Sequence, residues 1–181
     1  MSRPPLAREK VLDAFEAILV TTGERAATMD ATARAAGVSK GGLLYHFASK
    51  EALEAGILDR LHVLVDEYVA QLTGASEGPV ASFLRSSVMQ NVPLDRAILA
   101  TARLAQGGSA TAGDALRDVR EQWAEALRPH VKDEAALDLV MLVSDGLYYN
   151  NAIADGSIPG PVPQGAAMDA LVALVEESVG A

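Results

Sequence analysis

The chain contains no cysteine, and this absence removes a whole set of chemistries. Disulfide frameworks, cysteine-ligated metal centres and thiol catalysis are all excluded. Histidine is scarce too, with three residues in the chain, and the sequence shows no cluster of histidine and carboxylate residues at metal-ligand spacing. We therefore predict a protein that holds neither a metal ion nor another cofactor.

Long hydrophobic runs are also missing. Polar residues interrupt the apolar segments within about ten positions, and the opening MSRPPLAREK lacks the hydrophobic core of a secretory signal. We expect no membrane span and a cytoplasmic protein. Half of the 181 residues are hydrophobic and 22% are charged, the composition of a globular fold that buries about 70% of its unfolded surface.

None of the short motifs that mark an active site occurs in the chain. It has no nucleophile elbow, no phosphate-binding loop, no zinc motif and no carboxylate–histidine pair. We therefore predict that the protein is not an enzyme.

Positive charge is scarce overall but unevenly distributed. The net charge is −9, which by itself argues against nucleic acid, because phosphate binding needs cations. Residues 1–50, however, contain seven basic and five acidic side chains, a net charge of +2, so residues 51–181 carry −11. Both a small anion-binding segment on an acidic body and chance variation over a short window fit this distribution.

Apolar residues recur at helical spacing along the whole chain, and no strand-like alternation competes with them. Glycine and proline separate the periodic segments, most densely at 155–165. We predict an all-α fold of about nine helices, at 8–22, 28–36, 39–47, 49 to beyond 72, 80–91, 94–106, 112–129, 133–154 and 166–179.

The second and third helices are short and are joined by a tight turn that contains Gly37. With a supporting helix before them, such a pair forms the helix-turn-helix of DNA readers, although any helical hairpin in a core gives similar spacing. Leu43 and Phe47 are expected to be core residues of this hairpin. Donor side chains concentrate on or beside the third helix and favour the DNA-binding interpretation: Ser39, Lys40, Tyr45, His46 and Lys50.

Two adjacent glycines, Gly41 and Gly42, stand at the start of the third helix. Each costs about 1 kcal/mol of helix stability relative to alanine, so another requirement must favour them. Either the backbone turns there, or something approaches it closely.

The segment AGVSKGGLLYHFASKEAL, residues 36–53, preceded by Thr28, resembles the DNA-binding signature of the TetR family of bacterial transcriptional regulators. The resemblance covers about residues 8–58. It implies a helix-turn-helix DNA-binding domain at 1–50 and a helical ligand-binding and dimerisation domain at 51–181. The DNA contacts that it implies are Thr28, Ser39, Lys40, Gly41, Gly42, Leu44, Tyr45, His46 and Lys50.

Within this set, the resemblance gives each residue a role. Thr28 and Lys50 would contact phosphates, and Ser39–Gly42 would form the leading edge of the recognition helix. The two glycines would then let backbone amide groups approach the DNA closely. Tyr45 and His46 would reach phosphates or bases, unless Tyr45 is a half-buried core residue.

Two positions depart from the family pattern. Family members usually carry a tyrosine where this chain has Leu44, which offers an apolar contact to a thymine methyl group but no hydroxyl. Thr32 stands where a larger aliphatic residue is usual, and we expect it to loosen the packing of the second helix slightly.

The last two predicted helices are apolar on more than one face. A helix that is hydrophobic nearly all round must be covered on both sides. Either a second subunit covers the outer side, as in the four-helix dimer bundle that the resemblance implies, or both helices are central in the monomer. The predicted face for a homodimer comprises Leu139, Leu142, Val143, Tyr149, Leu171, Leu174 and Val175.

The resemblance further implies a small-molecule pocket in the C-terminal domain. Mostly apolar walls with a few polar points suit a small, largely hydrophobic ligand, although a stripe of this kind is more often plain core. Asp145 would favour a cationic ligand, unless it is solvated or paired with an arginine. The candidate pocket residues are Met89, Leu116, Val119, Trp123, Met141, Asp145 and Tyr148.

Together these features predict a ligand-responsive, dimeric transcriptional regulator that binds double-stranded DNA at a palindromic operator. A repressor is the form that we expect, released when an effector binds the C-terminal domain. The alternative is an all-helical ligand-binding or protein-interaction module without DNA binding.

Overall fold

The computed structural model describes residues 4–152 and 162–180. This part of the chain forms nine α-helices and no strand, which confirms the predicted all-α fold. None of these helices combines the length and the apolar character that a membrane crossing requires. The helices are α1 (Pro4–Thr22), α2 (Met29–Ala35), α3 (Lys40–His46), α4 (Lys50–Thr73), α5 (Pro79–Ser86), α6 (Pro93–Gln106), α7 (Ala110–Leu127), α8 (Glu134–Ala152) and α9 (Ala166–Val179).

Helix α5 is shorter than the helix predicted at 80–91. It ends at Ser86, and the backbone of Asn91 adopts a φ of 59°, a left-handed conformation that interrupts a helix. Pro93 then begins α6 in the first-turn position, where its missing N–H costs nothing. Met89 therefore lies in a connection, and the prediction that placed it on a helix is wrong.

Two short 3-10 helices, Glu24–Ala26 and Arg128–His130, were not predicted. A single tight turn of three residues is too short to show apolar periodicity. The end of the helix predicted at 133–154, and most of the break predicted at 155–165, lie outside the described residues.

The chain divides into two compact units. The first comprises residues up to Val65 together with Asn91–Val119, and the second comprises Asp66–Gln90 and residues from Arg120 onward. The unit boundaries fall inside α4 and α7 and in the connection before α6. The predicted DNA-binding domain, 1–50, lies within the first unit, and the boundary at residue 50 stays a prediction.

The core of the first unit places α3 against α1 and α4. Leu43 and Phe47 are buried, as predicted, together with Phe15 of α1. Gly56 of α4 makes this packing possible, because a Cβ atom there would lie 2.9 Å from Cδ2 of Leu12 and 3.1 Å from Cε1 of Phe47. A side chain at this position would thus push α3 away from its support.

A buried carboxylate connects three helices of the first unit. Glu16 of α1, whose side chain is 5% exposed, accepts a hydrogen bond of 3.2 Å from Arg60 of α4 and another of 3.2 Å from Arg96 of α6. Arg60 also binds Glu9 at 2.7 Å and Asp13 at 2.9 Å. Because an unpaired buried charge is costly, this network fixes the position of the three helices.

The core of the second unit is formed by α5, α8 and α9. Val140 and Met141 of α8 and Val172 of α9 are buried there. The hydroxyl groups of Ser87 and Ser144 lie 2.7 Å apart in this core, and Ser87 also donates to the carbonyl oxygen of Phe83 at 2.7 Å. These polar groups are therefore satisfied without water.

Candidate nucleic-acid interface

The two helices of the predicted helix-turn-helix begin at hydroxyl caps. The Oγ1 atom of Thr28 accepts the N–H of Ala31 at 3.2 Å, and the Oγ atom of Ser39 accepts the N–H of Gly42 at 3.0 Å. Thr28 and Ser39 are thus the N-caps of α2 and α3. Because a hydroxyl group donates as well as accepts, each cap keeps its O–H for an outside acceptor such as a phosphate oxygen.

One face of α3 is open to solvent. Tyr45 is 82% exposed and Leu44 is 44% exposed, so the alternative of a half-buried core role for Tyr45 is wrong. The ring of Tyr45 meets the half-buried ring of His46 edge to face, with centroids 5.1 Å apart. An exposed aromatic ring that rests on a neighbouring ring costs little side-chain entropy when it contacts a partner.

The two glycines of α3 differ in their surroundings. A Cβ atom on Gly42 would lie 3.2 Å from the Oγ atom of Ser39, so its missing side chain leaves room for the helix cap. A Cβ atom on Gly41 would meet nothing within 4 Å among the described residues. Since nothing described in the chain explains Gly41, the close-approach interpretation applies best to this residue.

The two predicted cationic contacts are both paired within the chain. The Nζ atom of Lys40 lies 2.9 Å from Oδ1 of Asp30 in α2, and both side chains are exposed. Lys50 forms an ion pair with Glu24 of the first 3-10 helix, and its Nζ also donates to the carbonyl oxygen of Glu24 at 3.3 Å. No sequence pattern indicated the second pair, whose members are 26 positions apart.

Further basic residues of this unit were not singled out from the sequence. Arg25 follows α1 in the first 3-10 helix, and Arg34 lies in the last turn of α2. Both are exposed, and within the described residues neither makes an ion pair or a side-chain hydrogen bond. The positions of Arg25 just before α2 and of Arg34 in its last turn were the sequence signal from which both could have been predicted as part of the DNA-binding surface.

Thr32, the second departure from the family pattern, is completely buried. Its hydroxyl donates to the carbonyl oxygen of Thr28 at 2.9 Å. A threonine in the middle of a helix is accommodated in this way when it bonds back to the preceding turn. The polar group is therefore satisfied inside the core.

The predicted ligand residues do not all belong to one unit. Leu116 and Val119 lie in the first unit, where Val119 is buried. In the second unit Met141 is buried and Tyr148 is half-buried. Asp145 is exposed and binds Arg120 through both carboxylate oxygens, at 2.8 and 2.7 Å, which is the arginine pairing left open from the sequence.

Trp123 is the centre of an aromatic cluster in the second unit. Its ring lies 5.7 Å from that of Phe83 and 6.0 Å from that of Tyr68, both edge to face. Burial raises the pKa of the Tyr68 hydroxyl to about 12, and this hydroxyl lies 2.6 Å from Oγ of Ser86. The indole N–H of Trp123 is buried without a hydrogen-bond partner in the described part of the chain.

A surface pocket of about 300 Å³ lies elsewhere in the second unit. Val80, His130 and Glu176 are among its lining residues. None of the predicted ligand residues lines it. Within the described ranges no group of three or more histidine and carboxylate residues has the arrangement of a metal site.

The predicted dimer residues separate into outward and inward sets. Leu142, Leu174 and Tyr149 are 65%, 60% and 54% exposed, and Leu139 is 39% exposed. Val175 is buried in the core of the second unit, whereas Val143 and Leu171 are half-buried against it. The outward set thus leaves an apolar face of α8 and α9 exposed, and its coverage by a second subunit stays a prediction.

A family model and a curated relative each match part of the chain. The model, described as bacterial regulatory proteins, tetR family, matches residues 11–55, which lie in the first unit. TtgW of Pseudomonas putida, described as an uncharacterized HTH-type transcriptional regulator, is 36% identical over 66 residues, or 36% of this chain and 49% of that protein. The chain thus spans about half the length of the curated relative that it matches.

Solved structures share the fold over almost the whole chain. The match with Salmonella enterica GusR covers 99% of this chain and 98% of that one, with a TM-score of 0.67 and 16% identity. The match with NalD, the secondary repressor of the MexAB-OprM multidrug efflux pump in Pseudomonas aeruginosa, covers 97% and 96%, with a TM-score of 0.62 and 16% identity. At this level of identity the similarity shows the fold alone.

Proposed function

We propose that the chain, whose residues 11–55 match the family model described as bacterial regulatory proteins, tetR family, is a cytoplasmic, dimeric, ligand-responsive transcriptional repressor of that family. Proteins of this family are regulators, so the chain is not an enzyme. Its operator would be a palindromic duplex, because a two-fold symmetric dimer presents two identical recognition helices.

The observation that carries the DNA-binding proposal is the exposed face of α3. This face combines three features. The helix N-terminus is capped by Ser39, a Cβ atom on Gly41 would meet nothing within 4 Å among the described residues, and the aromatic side chain of Tyr45 is 82% exposed. Such a helix can enter the major groove, with its first turn close to the DNA and its apolar and hydroxyl groups beside base edges and phosphates.

The direct test of DNA binding is selection from a randomised pool of duplexes, followed by fluorescence anisotropy with the enriched sequence. We expect a palindrome with two half-sites. Tyr45→Ala is expected to weaken operator binding at least tenfold, whereas Val63→Ala, which shortens an exposed side chain of α4 outside the predicted sites, is expected to leave operator binding unchanged. Failure to enrich any duplex would favour the alternative, a ligand-binding or interaction module without DNA binding.

A further test addresses the role of Lys50. Lys50→Ala is expected to weaken binding to all duplex sequences similarly and to lower the slope of log K against log salt by about one unit per subunit. Lys132→Ala is the matched control, since Lys132 binds the carbonyl oxygen of Ser178 in the second unit. An unchanged slope for the Lys50 variant would remove this residue from the interface.

The proposed effector site is the surroundings of Trp123. A buried N–H without a partner is costly, so a mostly apolar ligand that carries one hydrogen-bond acceptor would gain from binding beside it. Because this is the single tryptophan of the chain, its fluorescence reports on the site. An effector that releases DNA is expected to change the emission of Trp123, and Trp123→Phe is expected to weaken the response.

Release of the operator requires only that the effector prefer the conformation that does not bind DNA. A coupling of about 1–3 kcal/mol weakens DNA binding by roughly 5- to 150-fold. If compounds that release the DNA leave the emission unchanged, and Trp123→Phe responds to them normally, Trp123 is a core residue and the effector binds elsewhere.

A further inference from the structure

The ammonium group of Lys50 has one carboxylate in contact and two more on its own helix. It pairs with Glu24, and the two side chains are 28% and 27% exposed. Glu51 and Glu54 stand one and four positions further along α4, and both are close enough to interact electrostatically with Lys50. A phosphate that approaches Lys50 therefore meets negative charge as well as the ammonium group.

The other lysine of the recognition surface has the same arrangement in a more open form. Lys40, the first residue of α3, lies 2.9 Å from Asp30 in the first turn of α2, and their side chains are 63% and 65% exposed. Each predicted cationic contact thus has a carboxylate of its own chain as partner. Arg25 and Arg34, in contrast, make no ion pair within the described residues.

We infer that Glu24 and Asp30 determine the DNA specificity of this protein by competing with phosphates for Lys50 and Lys40. The inference rests on the proposed DNA-binding function. A phosphate gains less from a lysine whose charge is already neutralised, because the carboxylate must be displaced or tolerated nearby. Phosphate contacts are independent of base sequence, so the competition lowers non-specific binding while the contacts made by Leu44 and Tyr45 remain.

The position of the Glu24 side chain depends on Gly107 at the end of α6. A Cβ atom on Gly107, the C-cap of α6, would lie 2.8 Å from Cγ and 3.2 Å from Cβ of Glu24. The glycine therefore leaves the space that the stem of Glu24 fills while its carboxylate holds Lys50. A change at the end of α6 would therefore alter the phosphate contact of Lys50 by moving the Glu24 side chain.

The experiment compares Glu24→Gln, Asp30→Asn and the control Asp59→Asn in fluorescence anisotropy with a mixed-sequence duplex. Asp59 is an exposed residue of α4, nine positions beyond Lys50, and it belongs to neither ion pair, so its variant removes the same charge without releasing either lysine. We expect the first two variants to bind about 3- to 10-fold more tightly than the control, the factor expected from one partly or fully exposed ion pair in each of two subunits. Equal affinity of all three variants would overturn the inference.

A double-variant cycle separates competition from net charge. If Glu24 acts through Lys50, Glu24→Gln has no effect on DNA affinity in a Lys50→Ala background. A rise in affinity that persists in this background would show a general charge effect and would overturn the role of Glu24.

Acylation of Lys50 by an amine-reactive reagent, measured by mass spectrometry without DNA, separates this inference from the proposed function. We expect Lys50 to react faster in Glu24→Gln. We also expect it to react faster in Gly107→Ala, because the new methyl group displaces the Glu24 side chain. Unchanged rates would show that Glu24 does not shield Lys50. If the wild-type protein binds no duplex, the proposed function and the competition both fail, while faster acylation would still confirm the shielding.

Discussion

Arg96 of α6 donates its Nε–H to Oε1 of Glu16 in α1, at a distance of 3.2 Å, and the carboxylate that it binds is 5% exposed. The second oxygen of this carboxylate binds Arg60 of α4. Helix α6 is therefore attached to the helices around α3 by a buried charge and not by apolar packing alone.

Glu16→Gln is expected to destabilise the protein by about 1–3 kcal/mol, because an amide has one acceptor oxygen and cannot replace a carboxylate between two guanidinium groups. Asp13→Asn is the matched control. Asp13 also binds Arg60, but its side chain is 67% exposed, and its loss should cost less than about 0.5 kcal/mol. Urea unfolding of both variants measures the difference, and equal stabilities would mean that Glu16 is not the centre of the network.

Gly41→Ala is expected to change stability and DNA binding in opposite directions. The helix gains up to about 1 kcal/mol, since the new methyl group meets nothing within 4 Å among the described residues. Operator affinity should fall at least tenfold if the DNA occupies this space. Gly113→Ala in α7, with only Arg117 nearby at 3.7 Å, should raise stability without a loss of affinity. Normal operator binding by Gly41→Ala would refute the close approach.

Leu142→Glu and Leu174→Glu are expected to produce monomers. Their side chains are 65% and 60% exposed, so the substitutions place charge on the outward apolar face without disturbing the core. Val63→Glu, on an α4 side chain that is 58% exposed, is the control and should leave the mass measured by light scattering unaltered. Dimers in both leucine variants would place the interface on another surface.

Glu51 and Glu54 of α4 should respond to pH in opposite ways. Burial raises the pKa of Glu54, with Lys50 opposing this shift, whereas hydrogen bonds from the Ser49 hydroxyl and the backbone lower the pKa of Glu51. A raised pKa means that ionised Glu54 disfavours folding once the pH exceeds its unfolded-state pKa. Glu54→Gln should therefore raise the melting temperature at pH 7, by no more than about 2 °C.

The same comparison near pH 4 provides the control. Glu54 is then mostly protonated in the folded and the unfolded chain, so the gain from Glu54→Gln should disappear. Glu51→Gln should instead lower the melting temperature at pH 7, because a carboxyl with a lowered pKa contributes its stability above its unfolded pKa. Equal responses of the two variants at both pH values would contradict the assigned causes.

Most of the fold could be predicted from the sequence because local chemistry specifies it. The caps at Thr28 and Ser39, and the buried Leu43 and Phe47, follow from residue type and spacing over a few positions. The pairing of Lys50 with Glu24 depends on chain segments that meet only after folding, so periodicity showed no sign of it. The inward direction of Val175 was missed for a similar reason, since a helix that is apolar on several faces does not reveal which face packs inward.

The unit boundaries inside α4 and α7 affect where a protease can cleave the protein and where it can be truncated. A protease needs several residues in an extended, locally unfolded form, and a continuous helix at Val65 or Val119 offers none without breaking its own hydrogen bonds. Limited digestion should therefore spare these two points, and a fragment that ends at either would expose half of a helix. Trimming the protein to its first unit would require both the residues up to Val65 and Asn91–Val119, joined by a new connection.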